Sequence, residues 1–221
     1  MKVDVKGPII ENDFKWIYEQ FNIQSTCPND IHTAIEQAKS KNERIDVYIN
    51  SGGGSVFPAS EIYTALQEYG NIHIYIVGIA GSAASMIAMA GYAEISAVGQ
   101  IMIHNAHSSA QGDYRDMNHS ADVLYSISDS IANAYCAKTK KDKAEIMELM
   151  NKETWLTPEK ALEMGFVDGI MKDTGKPATI SQFVASVGGN VIPYEIITKM
   201  QAKKQKALAE TELLKLKEIK E

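Results

Sequence analysis

The chain has 221 residues, of which 45% are hydrophobic and 23% are charged, and its formal net charge is −6. This length suits one compact domain with a tail, and the acidic balance argues against a nucleic-acid-binding surface, although residues 199–206 form a local basic patch. The N-terminus is too short and too charged for a signal peptide, and no stretch approaches the ~20 apolar residues of a membrane span. We therefore expect a cytoplasmic protein that binds neither nucleic acid nor a membrane.

Cysteine usage gives no metal or redox signature. Cys27 and Cys136 are the two cysteines of the sequence, and neither belongs to a C-x-x-C pair. We expect two free thiols in a reducing compartment, and neither a cofactor nor a metal.

Predicted strands and helices alternate along the chain. The short apolar or alternating pattern of strands is found in residues 1–10, 45–50, 71–80, 93–98, 100–105 and 166–171. Helices are predicted at residues 31–38, with Asn29 or Asp30 as the cap, and at 57–69, 87–90, 120–138, 142–151 and after Thr157-Pro158. This alternation indicates the α/β class.

The composition changes after Pro193. The residues that follow are rich in Lys, Glu, Leu and Ala, a composition that favours helix. We therefore divide the chain into a domain of residues 1–193 and a helical C-terminal extension of residues 194–221.

The segment from Gly81 to Met86 joins the end of a predicted strand to small residues and a serine, Ser85, at the expected start of a helix. Free backbone amides at a helix start can stabilise an anion, so a nucleophile and an oxyanion hole are often combined there. The same small residues also allow close packing of a helix on a strand without any chemistry, and the segment by itself does not separate these two interpretations.

A serine mechanism also needs a histidine and a carboxylate. His104 follows the apolar residues 101–103 and opens a polar loop, where catalytic groups are common, but His107 lies three residues later and competes with it. The carboxylate stays open at this point among five candidates: Asp113, Asp116, Asp122, Glu153 and Asp168.

Four motifs in the same order resemble those of the Clp peptidase subunits (ClpP). They are Tyr48-Ile49-Asn50-Ser51-Gly52-Gly53-Gly54, Ala83-Ala84-Ser85-Met86, Met102-Ile103-His104-Asn105, and Glu153-Thr154-Trp155-Leu156-Thr157 followed by residues 161–168. The resemblance covers residues 3–172 and implies the ClpP/crotonase-like α/β fold of repeated β-β-α units, with the helical tail appended.

This resemblance implies a serine endopeptidase that hydrolyses peptide bonds. Ser85 would be the nucleophile, His104 the general base and Glu153 the acidic member of the triad. The backbone amides of Gly54 and Met86 would form the oxyanion hole.

The sequence departs from the family pattern at three positions. Gly52 and Ala106 replace the usual prolines, and Glu153 replaces the usual aspartate. The link from Ser85 to His104 is also shorter than in housekeeping members. Together with the Glu-Thr-Trp segment, these departures resemble the phage-borne branch of head-maturation or prohead proteases, with a capsid or scaffold protein as the candidate substrate.

The resemblance also implies partners. Family members are homo-oligomers that form rings of seven, often stacked in pairs, with an ATPase unfoldase as a candidate partner and a polypeptide as substrate. The predicted helix 120–138 would contribute to the contact between rings.

Other functions fit the sequence less well than a serine endopeptidase. A crotonase-type acyl-CoA hydratase or isomerase needs no Ser–His pair, a catalytically decayed ring protein would be purely structural, and a Ser–Lys dyad lacks a matching lysine motif. If Ser85 is not the nucleophile, Ser82 is the next candidate.

Overall fold

The computed structural model describes residues 1–172 and 192–218. Its strands are β1 (Lys2–Lys6), β2 (Ile45–Ser51), β3 (Ile72–Gly81), β4 (Tyr92–Ile95), β5 (Gln100–Ile103), β6 (Thr154–Leu156) and β7 (Gly169–Ile170). Its helices are α1 (Lys15–Gln20), α2 (Pro28–Lys41), α3 (Val56–Tyr69), α4 (Ala83–Ala88), α5 (Tyr114–Thr139), α6 (Lys143–Asn151), α7 (Pro158–Glu163) and α8 (Tyr194–Glu218). This alternation confirms the predicted α/β class.

The seven strands form one mixed sheet. The order β1-β2-β3-β4-β7 is parallel throughout, and β5 also runs parallel to β3. β6 runs antiparallel to β5. Parallel strands need crossovers, and the helices between them supply these connections.

Strand β3 has two neighbours on the same side. Its first half pairs with β4, and its last residues, Ile79–Gly81, pair with Gln100–Met102 of β5. The carboxyl ends of β3 and β5 therefore meet at one edge of the sheet, where functional groups of α/β proteins commonly lie. The start of β6 reaches the same edge, because Ile103 pairs with Thr154.

The core lies between the sheet and the helices. Alternate residues of β2 and β3 are buried, and Ile62 and Leu66 of α3 and Ile31 of α2 belong to the same buried cluster. This period of two is the pattern expected of strands with one fully covered face. It fixes the register of β3, and thereby the position of the residue that follows it.

Helix α8 begins in contact with the N-terminal segment. Ile192 and Ile197 are buried in a second apolar cluster with Ile17 and Tyr18 of α1. The helical character of the tail is confirmed over Tyr194–Glu218, whereas the domain boundary at residue 193 stays a prediction.

Several local predictions differ from the structure. Cys27, and not Asn29 or Asp30, is the N-cap of α2. Asp30 is instead the third helical residue, and its carboxylate accepts a hydrogen bond of 2.9 Å from the Cys27 amide. Helix α4 begins at Ala83 instead of residue 87, and α5 begins at Tyr114 instead of residue 120. Strand β6 was missed because it has only three residues.

The cysteines are both free, Cys27 buried and Cys136 half-buried. None of the helices within residues 1–172 and 192–218 is long and apolar enough to cross a membrane.

Candidate active site

Ser82 is the single residue between the end of β3 and the start of α4. Its φ of 51° and ψ of −127° form a backbone conformation that side-chain-bearing residues rarely adopt. The Ser82 amide donates to the Met102 carbonyl at 2.8 Å, and the Ser82 carbonyl accepts the Ser85 amide at 2.9 Å. Hydrogen bonds from β5 and from α4 therefore hold this turn on both sides.

His104 faces Ser82. Its Nε2 atom lies 2.7 Å from the Ser82 Oγ atom, and both side chains are partly exposed. The proximity follows from the sheet, because Gly81 pairs with Met102 and the two strands end side by side. With the neutral imidazole protonated on Nδ1, Ser82 donates to Nε2, which is the arrangement of a nucleophile with its general base.

Ser85 is elsewhere. It is fully buried, its Oγ atom donates to the Ser82 carbonyl at 2.6 Å, and the Tyr135 hydroxyl lies 2.7 Å away on the other side. The expected contact between Ser85 and His104 is therefore not formed, and Ser82 occupies that place. The reason is the early start of α4, which turns the third helical residue, Ser85, back towards the core.

The environment of His104 favours its neutral form. Burial lowers the pKa of His104 below its ordinary value, and the neighbouring His107 lowers that pKa further. The two rings are 5.3 Å apart between centroids. Since a general base must be unprotonated before it acts, both effects keep His104 competent at neutral pH.

Glu153 lies next to His104 in the sheet register. Ile103 pairs with Thr154 across antiparallel strands, so the next position along β5 stands opposite Glu153. The Glu153 charge acts to raise the His104 pKa, against the effect of burial. No hydrogen bond in the described part of the chain joins Glu153 to His104. The Glu153 carboxylate instead accepts from Trp155 Nε1 at 3.4 Å, and its backbone φ is 49°.

The other carboxylate candidates have structural positions. Asp113 and Asp116 form the capping box at the start of α5. Asp168 pairs with Lys138 and accepts the Ala93 amide, and Asp122 is exposed on α5. Glu153 is thus the candidate that the fold brings to the histidine.

Gly53 packs directly against the Ser82 turn. A Cβ atom added to Gly53 would lie 2.7 Å from both the Ser82 Cβ atom and the Gly81 carbonyl oxygen, and 2.9 Å from the Ala83 amide nitrogen. Its φ of +105° also favours glycine. A Cβ atom on the adjacent Gly52 would contact nothing within 4 Å. The close approach of the loop to the serine therefore requires glycine at position 53.

Side chains and a backbone bridge hold the glycine loop in place. The Ser51 hydroxyl donates to the Gly7 carbonyl at 2.6 Å and accepts the Gly53 amide at 3.1 Å. Ile9 bonds with the Gly53 carbonyl and the Ser55 amide on either side of Gly54. The Gly54 N–H therefore points away from Ile9, and among the described residues it has no hydrogen-bond partner.

Met86, one of the two predicted oxyanion donors, lies four residues after Ser82, whereas Ala83 is the next residue. Met86 is buried one turn into α4, where its sulfur contacts the Ser60 hydroxyl at 4.0 Å. Ala83, which was not among the predicted donors, directly follows Ser82 and opens the helix. Met86 was predicted because it follows Ser85, and the same rule, by which the second donor is commonly the amide after the nucleophile, selects Ala83 once Ser82 is considered.

Within the described ranges, no group of three or more His, Cys, Asp or Glu residues is arranged to hold a metal ion.

Comparisons with known proteins show the family of this chain. The family model described as Clp protease matches residues 17–174. ATP-dependent Clp protease proteolytic subunit 2 of Tropheryma whipplei (strain Twist) is 28% identical over 175 residues, which cover 76% of this chain and 96% of that protein. ATP-dependent Clp protease proteolytic subunit 1 of Prochlorococcus marinus (strain MIT 9312) is 29% identical over 139 residues, covering 61% and 71% respectively.

Proposed function

Because this chain belongs to the Clp protease family, we propose that it is a serine endopeptidase in which Ser82 is the nucleophile and His104 the general base. The family and its curated relatives indicate a peptidase. The observation that carries the serine mechanism is the 2.7 Å separation between Ser82 Oγ and His104 Nε2. This proposal replaces Ser85, whose hydroxyl is buried and bonded elsewhere.

Catalysis then runs in two steps. Ser82 Oγ attacks the scissile carbonyl carbon while His104 Nε2 takes its proton, and the imidazolium returns that proton to the leaving amine. Water then attacks the acyl-Ser82 ester with His104 again as base, which releases the second product as a carboxylic acid and restores the hydroxyl. Both steps need a neutral His104 at their start, and its lowered pKa supports this.

The oxyanion of each tetrahedral intermediate is bound by the amides of Gly54 and Ala83. Support for Gly54 is its N–H, which has no hydrogen-bond partner among the described residues and directly follows Gly53, the residue that packs against the Ser82 turn. Support for Ala83 is its place directly after the nucleophile. Each donor of this kind contributes roughly 3 kcal/mol to transition-state stabilisation. Ala83 takes the role first expected of Met86.

Glu153 is the acidic member in this proposal. Two observations support the role: Glu153 lies opposite His104 in the strand register, and its charge acts to raise the pKa of His104. A carboxylate in this position stabilises the imidazolium that forms during each step and can orient the Nδ1 proton. In this proposal the exposed Glu153 side chain rotates away from Trp155, from which it accepts a hydrogen bond in the structure, to meet the imidazole during catalysis.

Assembly into a homo-oligomeric ring, alone or in stacked pairs, is a further part of the proposal. The relatives' names describe a subunit of an ATP-dependent protease, which supports a multi-subunit assembly with an ATPase partner. The first half of α5 exposes apolar side chains, with Tyr114 at 74% and Tyr125 at 66% of full exposure. Covering them against a second copy would remove apolar surface from water.

The substrate is a polypeptide, and a capsid or scaffold protein of a phage is the candidate. Support for this branch comes from the sequence departures at Gly52, Ala106 and Glu153, from the Glu-Thr-Trp segment that Glu153 opens, and from the short link between Ser85 and His104.

Hydrolysis of an unfolded, dye-quenched casein tests the proposed activity. Wild-type protein should release fluorescence with time, and Ser82→Ala should reduce the rate by ~10⁴-fold or more. Activity of Ser82→Ala equal to wild type would contradict the proposal.

A further inference from the structure

Two buried hydroxyl groups lie directly beneath the Ser82 turn. Ser85 in α4 is 0% exposed and Tyr135 in α5 is 1% exposed, and their oxygen atoms are 2.7 Å apart. Ser85 Oγ also lies 2.6 Å from the Ser82 carbonyl oxygen. The peptidase mechanism proposed above uses neither hydroxyl chemically.

The direction of both hydrogen bonds follows from their partners. A carbonyl oxygen can only accept, so the one proton of the Ser85 hydroxyl is donated to Ser82. The Tyr135 hydroxyl must therefore donate to Ser85 Oγ. Burial raises the pKa of Tyr135, so this hydroxyl remains protonated and able to donate at any working pH. The result is a hydrogen-bond chain in which Tyr135 donates to Ser85 and Ser85 donates to the Ser82 carbonyl.

The last acceptor of this hydrogen-bond chain is the Ser82 carbonyl, whose orientation sets the backbone conformation of the nucleophile. Rotation of the Ser82 carbonyl is rotation about ψ, which is −127° at this residue with a φ of 51°. Such a strained backbone persists only where its surroundings hold it. The carbonyl accepts both the amide of Ser85, at 2.9 Å, and its hydroxyl.

We propose that Ser85 and Tyr135 are positioning residues that hold Ser82 in the backbone conformation needed to meet His104. The inference rests on the proposed function, because it assigns to Ser82 the role of nucleophile. It also gives Ser85 a place in the site different from the one its motif first indicated.

Tyr135 is suited to this task because its ring is fixed independently of the turn. It packs against Phe166, with 5.9 Å between ring centroids, and its neighbours Ile131, Ala132 and Ala134 are buried in the same core. A hydroxyl on a rigid element of its own can resist movement of the serine turn, whereas a water molecule in the same place could not.

The test compares Tyr135→Phe, Ser85→Ala and the double variant with wild type. Tyr135→Phe retains the ring and removes one donor, so kcat for peptide hydrolysis should fall about threefold to tenfold with KM unchanged. Ser85→Ala breaks the chain at its centre and should lower kcat by about tenfold to a hundredfold. The double variant should match Ser85→Ala, because Tyr135 acts through Ser85.

Tyr18→Phe is the matched control. Tyr18 is equally buried but belongs to the other apolar cluster, so its loss of a hydroxyl should leave kcat at the wild-type value. The rate of Ser82 acylation by a fluorophosphonate should follow kcat in every variant, which separates positioning from a purely structural role.

Wild-type kcat and acylation rate in Tyr135→Phe, with or without a lowered melting temperature, would overturn the inference. Tyr135→Phe decides the matter alone if Ser85→Ala does not fold. An inactive Ser82→Ala beside a fully active Tyr135→Phe would remove this inference and leave the proposed function standing. An active Ser82→Ala would remove both.

Discussion

The Nε2 atom of His104 lies 2.7 Å from the Oγ atom of Ser82, whereas Ser85, one helical turn later, points its hydroxyl away from the histidine into the core. This relationship depends on where β3 ends and α4 begins. The strand ends at Gly81, so Ser82 stands at the corner beside the end of β5, and Ser85 is already inside the helix.

Removal of the base should be as damaging as removal of the nucleophile. His104→Ala should lower kcat by ~10⁴-fold or more, and the double variant with Ser82→Ala should be no worse, because the two groups act as a unit. Steady-state kinetics on a fluorogenic peptide measures both. His107→Ala serves as the control and should retain most activity. A double variant much slower than either single variant would mean that the two residues act independently.

The pH dependence should respond to the two neighbours of His104 in opposite directions. Activity needs the neutral imidazole, so it is lost as pH falls through the His104 pKa, which lies below the ordinary 6.5. His107→Gln removes an effect that lowers this pKa, so the acid limb of kcat/KM should move to higher pH. Glu153→Gln removes an effect that raises it, so the limb should move to lower pH.

Glu153→Gln should also reduce kcat by orders of magnitude while KM changes little, because the carboxylate stabilises an imidazolium present only during the reaction. Profiles of kcat/KM against pH for wild type and both variants provide the measurement. Wild-type kcat in Glu153→Gln would exclude Glu153 as the acidic member, and shifts of both limbs in the same direction would contradict the electrostatic account.

The glycine loop offers a pair of neighbouring substitutions with opposite expectations. Gly53→Ala forces a Cβ atom against the Ser82 turn at a φ of +105°, so kcat should fall about 100-fold, as for a damaged oxyanion hole. Gly52→Ala places its Cβ atom in open space and should behave like wild type. Activity and melting temperature of the two variants are the measurements. Equal activity of both would show that the close approach of Gly53 to Ser82 is not needed.

Self-association should be visible in solution. The exposed tyrosines of α5 are proposed to meet a second copy, so light scattering at micromolar concentration should give several times the monomer mass of 24.3 kDa. Tyr125→Asp should shift the population towards smaller species by placing a charge in that contact. A monomer mass for the wild-type protein would contradict the ring.

The fold was more predictable than the site. Apolar periodicity in residues 45–50 and 71–80 predicts β2 and β3 within one residue of their observed ends, because burial of alternate side chains leaves a direct mark on the sequence. The start of α4 leaves no such mark. Gly, Ser and Ala are equally suited to a turn and to a tightly packed helix, so residues 81–86 did not reveal which serine stands at the corner.

Tyr135 could not have been found from sequence spacing. It lies 50 residues from Ser85, in the buried half of α5, and the two meet only through tertiary packing. His104 was a candidate from the residues themselves, because it follows an apolar strand and opens a polar loop, where chemical groups commonly collect. Glu153 was a candidate among five carboxylates and was singled out by the family resemblance alone. Their closeness nevertheless depends on β6, a three-residue strand that the sequence pattern did not indicate.

The most direct test of the central claim is the site of covalent labelling by a fluorophosphonate. The labelled protein is digested, and tandem mass spectrometry separates the two candidate serines by fragment ions that end between them, at Ala83 and Ala84. The adduct should be on Ser82, Ser82→Ala should take no label, and Ser85→Ala should still be labelled on Ser82 at a reduced rate. An adduct on Ser85 in the wild-type protein, or undiminished labelling of Ser82→Ala, would contradict the account.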